Sequence, residues 1–205
     1  LRLYALRCDQ SSGTACFNHG RALETGEHVA KNHEEALNAY RKACLNDFAP
    51  GCISVYRLCA ESSEFCDAND KIRAIEHACT AGSEQGCKML ARSIMDRESA
   101  ELSVADGVKA FGAGCRSGVR SACAGMYELG VRHVAPSNPK RDLGFARAAF
   151  KSACAGDYLD ACVNLALMDL RGDGAPKNLP NAKKTLSDVC NRGHKKACEF
   201  QERLK

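Results

Sequence analysis

The chain has 205 residues, of which 14 are Cys, none is Trp and 6% are aromatic, so it combines many thiols with few large core side chains. Its formal net charge of +4 is too small to indicate nucleic-acid binding without a localised basic patch. No apolar run approaches the roughly 18 residues that a membrane-spanning helix needs, and because the sequence begins at Leu1 and not at Met, we expect any precursor signal segment to lie outside it.

The cysteines form neighbouring pairs at a regular spacing. Six pairs have an offset of eight residues, and their first members advance by 35 to 39 residues from pair to pair. A fixed period in this range is typical of a stacked structural repeat. The six pairs are Cys8 with Cys16, Cys44 with Cys52, Cys79 with Cys87, Cys115 with Cys123, Cys154 with Cys162, and Cys190 with Cys198. We therefore predict a single repeat array over residues 1–205 with about six copies.

A helix, called helix A here, is predicted before the first cysteine of each pair. Counted back from that cysteine, positions −1, −4, −5 and often −8 are apolar with polar residues between them, which is a helical spacing. Position −4 holds Tyr4, Tyr40, Ile75, Phe111, Phe150 and Leu186. The residues that we expect to be buried at successive repeat interfaces are Tyr40, Phe111, Phe150 and Leu186.

A short turn and a second helix, called helix B, are predicted after the first cysteine. Position +3 after that cysteine is Gly or Asp in all copies but the first, and these residues tolerate the left-handed backbone conformation that ends a helix. The column contains Ser11, Asp47, Gly82, Gly118, Asp157 and Gly193. The second cysteine then lies in the first turn of helix B, whose packing positions become polar in the last copy, as in an end repeat. Each copy is thus predicted to be a helix hairpin in an all-α solenoid.

The paired cysteines are predicted to be disulfides and not metal ligands. The two helices of a hairpin approach each other at the turn, where a Cα separation of roughly 5 to 6 Å suits a disulfide. Structural zinc sites use cysteines two to four residues apart, and the sequence has no CxxC. A seventh pair, Cys59 with Cys66, is expected to join helix B of one copy to the linker that follows it. With all cysteines oxidised, we expect an oxidising compartment.

Two stretches resemble the Sel-like repeat family, a branch of the tetratricopeptide superfamily. They are "ARAAFKSACAGDYLDACVNLALMDLRGDGAPKN" at 146–178 and "EEALNAYRKACLNDFAPGC" at 34–52. The paired cysteines make the chain similar to the Helicobacter cysteine-rich proteins, which are secreted bacterial members with one bridge per hairpin. It also looks similar to cysteine-rich assembly factors of the mitochondrial intermembrane space. The resemblance implies a right-handed superhelix and a binding role, with weak β-lactam binding or hydrolysis in some members.

The polar positions of helix A form a candidate binding groove. In a curved array of hairpins the inner face is lined mainly by helix A, and its polar columns carry an excess of basic residues that would favour an acidic or carboxylate-bearing partner. The alternative is an ordinary solvated helix face. The candidate groove residues are Asn38, Arg41, Arg73, Lys109, Arg147, Lys151 and Lys184.

Catalytic signals are weak. Ser137 and Lys140 match the S-x-x-K string of penicillin-binding enzymes, but Pro139 predicts an irregular linker where that string needs a helical turn. His19 lies in a packing column, and His28 and His33 are five residues apart, which is not the i, i+4 spacing of a helical metal site. We therefore predict no catalytic residue, no metal and no cofactor.

The preferred function is a non-enzymatic scaffold that binds a protein, a peptide or a peptidoglycan-like ligand and no nucleic acid. Two alternatives rest on the resemblance alone. They are a weak β-lactam-binding or β-lactam-hydrolysing protein and a mitochondrial intermembrane-space assembly factor. The expected compartment is the bacterial periplasm or the cell exterior, with the intermembrane space as the alternative.

Overall fold

The structure is a computed structural model that describes residues 2–10, 12–62, 64–67, 69–95 and 104–204. Within these residues it contains twelve α-helices and no strand. The helices are α1 (Arg2–Asp9), α2 (Gly13–Thr25), α3 (His33–Leu45), α4 (Ala49–Glu61), α5 (Asp70–Thr80), α6 (Glu84–Met95), α7 (Val104–Arg116), α8 (Arg120–Val134), α9 (Leu143–Ala155), α10 (Leu159–Arg171), α11 (Leu179–Asn191) and α12 (Lys195–Glu202). Odd-numbered helices are helices A and even-numbered helices are helices B, so the all-α class and the hairpin repeat are confirmed.

The chain divides into two compact units, Leu1–Gly114 and Cys115–Lys205, with the boundary inside α7. In the first unit α2 packs on α3 and α4 packs on α5, and in the second α8 packs on α9 and α10 packs on α11. Helix B of one hairpin therefore packs against helix A of the next within each unit. None of the described helices is both long enough and apolar enough to cross a membrane. The single array over residues 1–205 stays a prediction.

The helices A begin at a recurring polar column. Asn32, Asp142 and Asn178 stand twelve residues before the first cysteine of their repeats, and each side chain accepts a hydrogen bond of 2.9 to 3.1 Å from the backbone N–H three residues later. Such N-caps satisfy one of the free N–H groups at a helix start. The third repeat is an exception, because Asp67 holds this column but α5 begins only at Asp70.

The hairpin turns adopt the predicted left-handed conformation. Positive φ angles of 56° to 86° occur at position +3 of every described copy, namely at Asp47, Gly82, Gly118, Asp157 and Gly193. Ser11, which holds this position in the first copy, lies outside the described residues. The Gly and Asp of this column are therefore explained by the backbone and not by contacts of their side chains.

We expect Gly82→Ala to lower the free energy of unfolding by about 1 to 2 kcal/mol, the cost of placing an L-residue in the left-handed region. A Cβ at this position would meet no atom within 4 Å, so the loss reflects backbone strain alone. Chemical denaturation with the disulfides intact measures it. Gly82→Asp is the control and should cost less, because Asp47 and Asp157 adopt this conformation naturally; equal stability of Gly82→Ala and the unmodified chain would contradict the explanation.

Each hairpin is closed by its predicted disulfide, which joins helix A to helix B of the same repeat with Cα atoms only 4.4 to 4.7 Å apart. These separations are at the short end of disulfide geometry and below the 5 to 6 Å expected from the sequence. The six bridges join Cys8 to Cys16, Cys44 to Cys52, Cys79 to Cys87, Cys115 to Cys123, Cys154 to Cys162, and Cys190 to Cys198.

The seventh bridge lies outside the hairpins, as the sequence predicts. It joins Cys59 of α4 to Cys66 in the following loop, with a Cα separation of 5.6 Å. Together the seven bridges use all 14 cysteines, which is typical of proteins from an oxidising compartment.

Small residues allow the close approach within a hairpin. A Cβ added to Gly51 would lie 2.6 Å from the Ala43 Cβ, and one added to Gly86 would lie 2.5 Å from the Ala78 Cβ. Both distances are shorter than non-bonded carbon atoms approach each other in proteins, so only Gly fits at these two positions without a shift of the helices. The disulfide and the small residue before its second cysteine therefore work together to set the spacing of the hairpin.

The large side chains of the −4 column are buried as predicted. Tyr40, Phe111, Phe150 and Leu186 are each at most 1% exposed. At two interfaces the ring lies against a glycine of the preceding helix B. A Cβ at Gly20 would lie 2.8 Å from the Tyr40 ring, and one at Gly130 would lie 2.6 Å from the Phe150 ring.

We expect Phe150→Ala to lower the free energy of unfolding by about 3 to 5 kcal/mol, because it removes a fully buried ring and leaves a cavity beside Gly130. Thermal or chemical denaturation under non-reducing conditions measures the loss. Phe65→Ala is the matched control. Phe65 is 40% exposed, so this substitution should lower the free energy of unfolding much less. Similar losses for the two variants would show that the ring at 150 is not a core side chain.

The first copy differs from the others in this column. On α1, Leu3, Tyr4 and Leu6 are 58%, 44% and 60% exposed. Tyr4 occupies the same repeat position as Tyr40, which is 1% exposed. A residue in this column is therefore not buried in every copy.

Candidate functional site

The first unit contains a cavity of about 560 Å³ between α3, α5 and α7. This volume lies within the range of small-ligand pockets. Its lining residues are Arg41, Cys44, Leu45, Val55, Asp70, Arg73, Ala74, Glu76, His77, Thr80, Lys109 and Ala110. Apart from Val55 of α4, all of them come from helices A, the helices that the sequence assigns to the candidate groove.

Three cations line this cavity, one from each of three successive helices A. Arg41 lies on α3, Arg73 on α5 and Lys109 on α7. We call these three residues the cationic face. All three belong to the candidate groove set, and the structure brings them to one place in the first unit.

Arg41 is held in position by several partners. Its guanidinium lies 2.5 Å from the Asp70 carboxylate and donates to the Phe65 carbonyl at 2.8 Å and to the Asn38 side chain at 3.1 Å. The Asp70 side chain is only 14% exposed, so this ion pair is shielded from water more than a surface pair is. Arg41 is therefore a fixed part of the cavity wall.

Arg73 has a more exposed partner. Its guanidinium lies 2.5 Å from the Asp67 carboxylate, and both side chains are more than half exposed; it also lies 3.8 Å from one oxygen of Asp70. Desolvation opposes ionisation of Asp67, but the hydrogen bonds from Arg73 and from the Asn69 N–H outweigh it and lower the pKa of the Asp67 carboxyl. Asp67 is thus an anion at neutral pH, and its carboxylate is paired with the Arg73 guanidinium.

The rest of the cavity is mixed. His77 Nε2 lies 3.1 Å from the Asp47 carboxylate of the preceding turn, and Glu76 adds a second carboxylate to the lining beside that of Asp70. Val55, Ala74 and Ala110 provide an apolar floor, and Leu45 at the edge is 75% exposed. The lining therefore combines apolar side chains with charges of both signs.

A smaller cavity of about 220 Å³ lies between α1, α2 and α3. It is lined by Ala5, Cys8, His19, Leu23, Glu35, Asn38, Ala39 and Lys42. Asn38, Arg41, Lys42 and Leu45 follow the i, i+3, i+4, i+7 spacing of one helix face, so both cavities are lined from this face of α3, one next to α1 and α2 and the other next to α5 and α7. Within the described residues, the buried Nδ1 of His19 has no hydrogen-bond partner.

The remaining candidate groove residues lie in the second unit. Lys151 on α9 and Lys184 on α11 are exposed and line none of the cavities described above. Arg147 is different, because its guanidinium binds Asp169 of α10, a carboxylate that is fully buried. The second Asp169 oxygen accepts a hydrogen bond from the Asn181 side chain of α11 at 2.5 Å. Arg147 thus joins three helices of the second unit.

We expect Asp169→Ala to destabilise the second unit by about 3 kcal/mol, because it leaves the Arg147 guanidinium without its buried partner. Lys151→Ala, which removes an exposed charge on the same helix as Arg147, should change stability by less than about 0.5 kcal/mol. Chemical denaturation of both variants makes the comparison. An Asp169→Ala loss no larger than that of Lys151→Ala would contradict a structural role for the pair.

Two further chemical groupings lie in the described residues. Cys59, Cys66 and Asp70 lie close enough together to hold a metal ion, but the two sulfur atoms are joined in a disulfide and offer no thiolate. Ser137 and Lys140 lie in turns after α8, so the predicted irregular linker is confirmed and the S-x-x-K string lacks its helical turn.

Two carboxylates of the site were missed by sequence reasoning. Asp67 and Asp70 are the counter-ions of Arg73 and Arg41, whereas the candidate residues from the sequence are cysteines, basic residues and Asn38. A signal was present, because Asp67 stands in the N-cap column directly after the only cysteine pair with an offset of seven. An acidic residue at that irregular point marks a local departure from the repeat.

Comparison with known proteins gives structural relatives only. No family model matches the chain, and no curated protein matches it. A protective antigen of uropathogenic Escherichia coli strains with an SLR fold aligns at 20% identity and a TM-score of 0.49, over 98% of this chain and 43% of the antigen, so the chain spans less than half of that protein. A Sel1 repeat protein from Oxalobacter formigenes aligns at 17% identity and a TM-score of 0.44, over 100% and 69% of the two chains. A Sel1 repeat protein from Klebsiella pneumoniae aligns at 19% identity and a TM-score of 0.37, over 98% and 97%.

Proposed function

We propose that the chain is a non-enzymatic binding scaffold whose first unit binds an acidic peptide segment on the cationic face. The observation that carries the proposal is the placement of Arg41, Arg73 and Lys109 around one cavity by three successive helices A. Cations spaced across several helices suit an extended chain with several carboxylates better than one small anion. The second cavity, between α1, α2 and α3, lengthens the surface on which such a chain can lie.

The lining favours a peptide over an acidic polysaccharide. Val55, Ala74 and Ala110 form an apolar floor, and Leu45 exposes a large apolar side chain at the edge. A peptide can place an apolar side chain on this floor, whereas a sugar acid has none to bury.

Membership of the disulfide-rich Sel-like repeat proteins is part of this proposal. It is supported by the residue pattern of the repeats and by one bridge in every hairpin. The same bridges support a periplasmic or secreted location, where disulfides form and persist. No observation in the described residues favours a β-lactam-directed activity, since Ser137 lies exposed in a turn.

Charge reversal tests the proposal. Replacing Arg73 and Lys109 by Glu should weaken binding of a fluorescein-labelled deca-glutamate peptide by about tenfold or more at low salt, because complementary charge becomes repulsive. The difference should shrink as salt rises, since ions screen exposed charges. Fluorescence anisotropy titrations at two salt concentrations measure both effects, and deca-glutamine is the neutral probe.

The matched control is the replacement of Lys183 and Lys184 by Glu. Both lysines are exposed on α11 and line neither cavity, so this pair makes the same change in net charge in the second unit. Equal weakening by the two double variants would show that binding follows net charge and not the cationic face. If polygalacturonate binds more tightly than deca-glutamate, the partner is an acidic polysaccharide and not a peptide.

A further inference from the structure

The loop between α4 and α5 supplies groups to the cationic face. Residues 64–67, called the exit loop here, follow α4, and Cys66 ties the loop to Cys59 of that helix. The loop gives the Phe65 carbonyl to Arg41 at 2.8 Å and the Asp67 carboxylate to Arg73 at 2.5 Å. It is therefore both covalently anchored and bonded to two of the three cations.

The two contacts differ in how readily a ligand could replace them. Arg41 is held mainly by Asp70, a residue of α5 whose side chain is 14% exposed. Asp67 and Arg73 are 57% and 62% exposed, and an ion pair so accessible to water contributes little to stability. A carboxylate from outside can take the place of Asp67 at small cost, whereas replacing Asp70 would leave a partly buried charge unpaired.

The backbone explains why Asp67 is available for this contact. In other repeats the same column holds Asn32, Asp142 or Asn178, whose side chains cap the following helix A. Here α5 begins at Asp70, three residues after Asp67, and the Asp70 carboxylate accepts a hydrogen bond from the Asp67 N–H at 3.0 Å. The Asp67 side chain accepts from the Asn69 N–H at 2.8 Å through one oxygen and binds Arg73 through the other.

We propose that Asp67 is a built-in competitor for the cationic face and that an acidic peptide binds by exchanging one of its carboxylates for that of Asp67 on Arg73. The inference rests on the proposed function and adds the position of one ligand carboxylate and the contact that it displaces. The exit loop then tunes affinity: the more firmly it holds Asp67 in place, the weaker the peptide binds. The cysteine pair that has no counterpart in the other repeats anchors this loop.

The test is a double-mutant cycle on the oxidised full chain with the fluorescein-labelled deca-glutamate peptide. Asp67→Asn removes the competing charge and should tighten binding about two- to fivefold at low salt, as expected for loss of one exposed ion pair. Arg73→Gln should weaken binding, and in the Arg73→Gln background Asp67→Asn should give no tightening. Far-UV circular dichroism and thermal melts establish that the variants fold alike.

Glu64→Gln is the matched control. It makes the same charge change on the same loop, but Glu64 lines a different cavity together with His33 and Glu61. Equal tightening by Asp67→Asn and Glu64→Gln, or tightening that persists without Arg73, would overturn the exchange. If Arg73 and Lys109 matter for binding but Asp67→Asn does not tighten it, the competitor is wrong and the binding face stands. If replacing Arg73 and Lys109 leaves binding of the deca-glutamate peptide unchanged, the proposed function itself is wrong.

Discussion

The close approach of two helices in every hairpin is the constraint on which the rest of the structure depends. Cα atoms only 4.4 to 4.7 Å apart leave room for a disulfide and a small residue and for little else. The bridges are also part of the hydrophobic core. Cys8 and Cys16 pack with Ala43 of the next hairpin, and Gly156 lies against the bridge between Cys115 and Cys123. Sulfur thus fills space at the repeat interfaces of a chain that has few large side chains to bury.

The candidate site arises where the repeat is least regular. Wherever the N-cap column keeps its ordinary role, as at Asn32 and Asn178, the side chain is used by its own helix. In the third repeat α5 begins late, an extra bridge joins Cys59 to Cys66, and Asp67, which holds this column, pairs with Arg73. The repeat places the cations on successive helices A around one cavity. The irregular third repeat supplies the carboxylates of Asp67 and Asp70 that pair with two of them.

The sequence predicts the fold better than the site, for a physical reason. Hairpins, bridges, turn conformations and the burial of Phe150 follow from columns that repeat along the chain, so each is supported several times. The site depends on pairings between side chains of different elements, which no column shows. Arg147 and Arg73 look alike in sequence as basic residues of helix A, but one binds the buried Asp169 and the other lines a cavity.

The short span of every bridge also bears on the order in which the chain can oxidise. Cys52 has two neighbours at nearly equal distance, Cys44 eight residues before it and Cys59 seven residues after it, and the latter shares its helix. A chain that enters an oxidising compartment amino end first presents Cys44 before Cys59, so pairing each cysteine with the unpaired one before it gives the native connectivity throughout. The same rule is lost when a reduced full-length chain oxidises all at once, and reshuffling must then correct the errors.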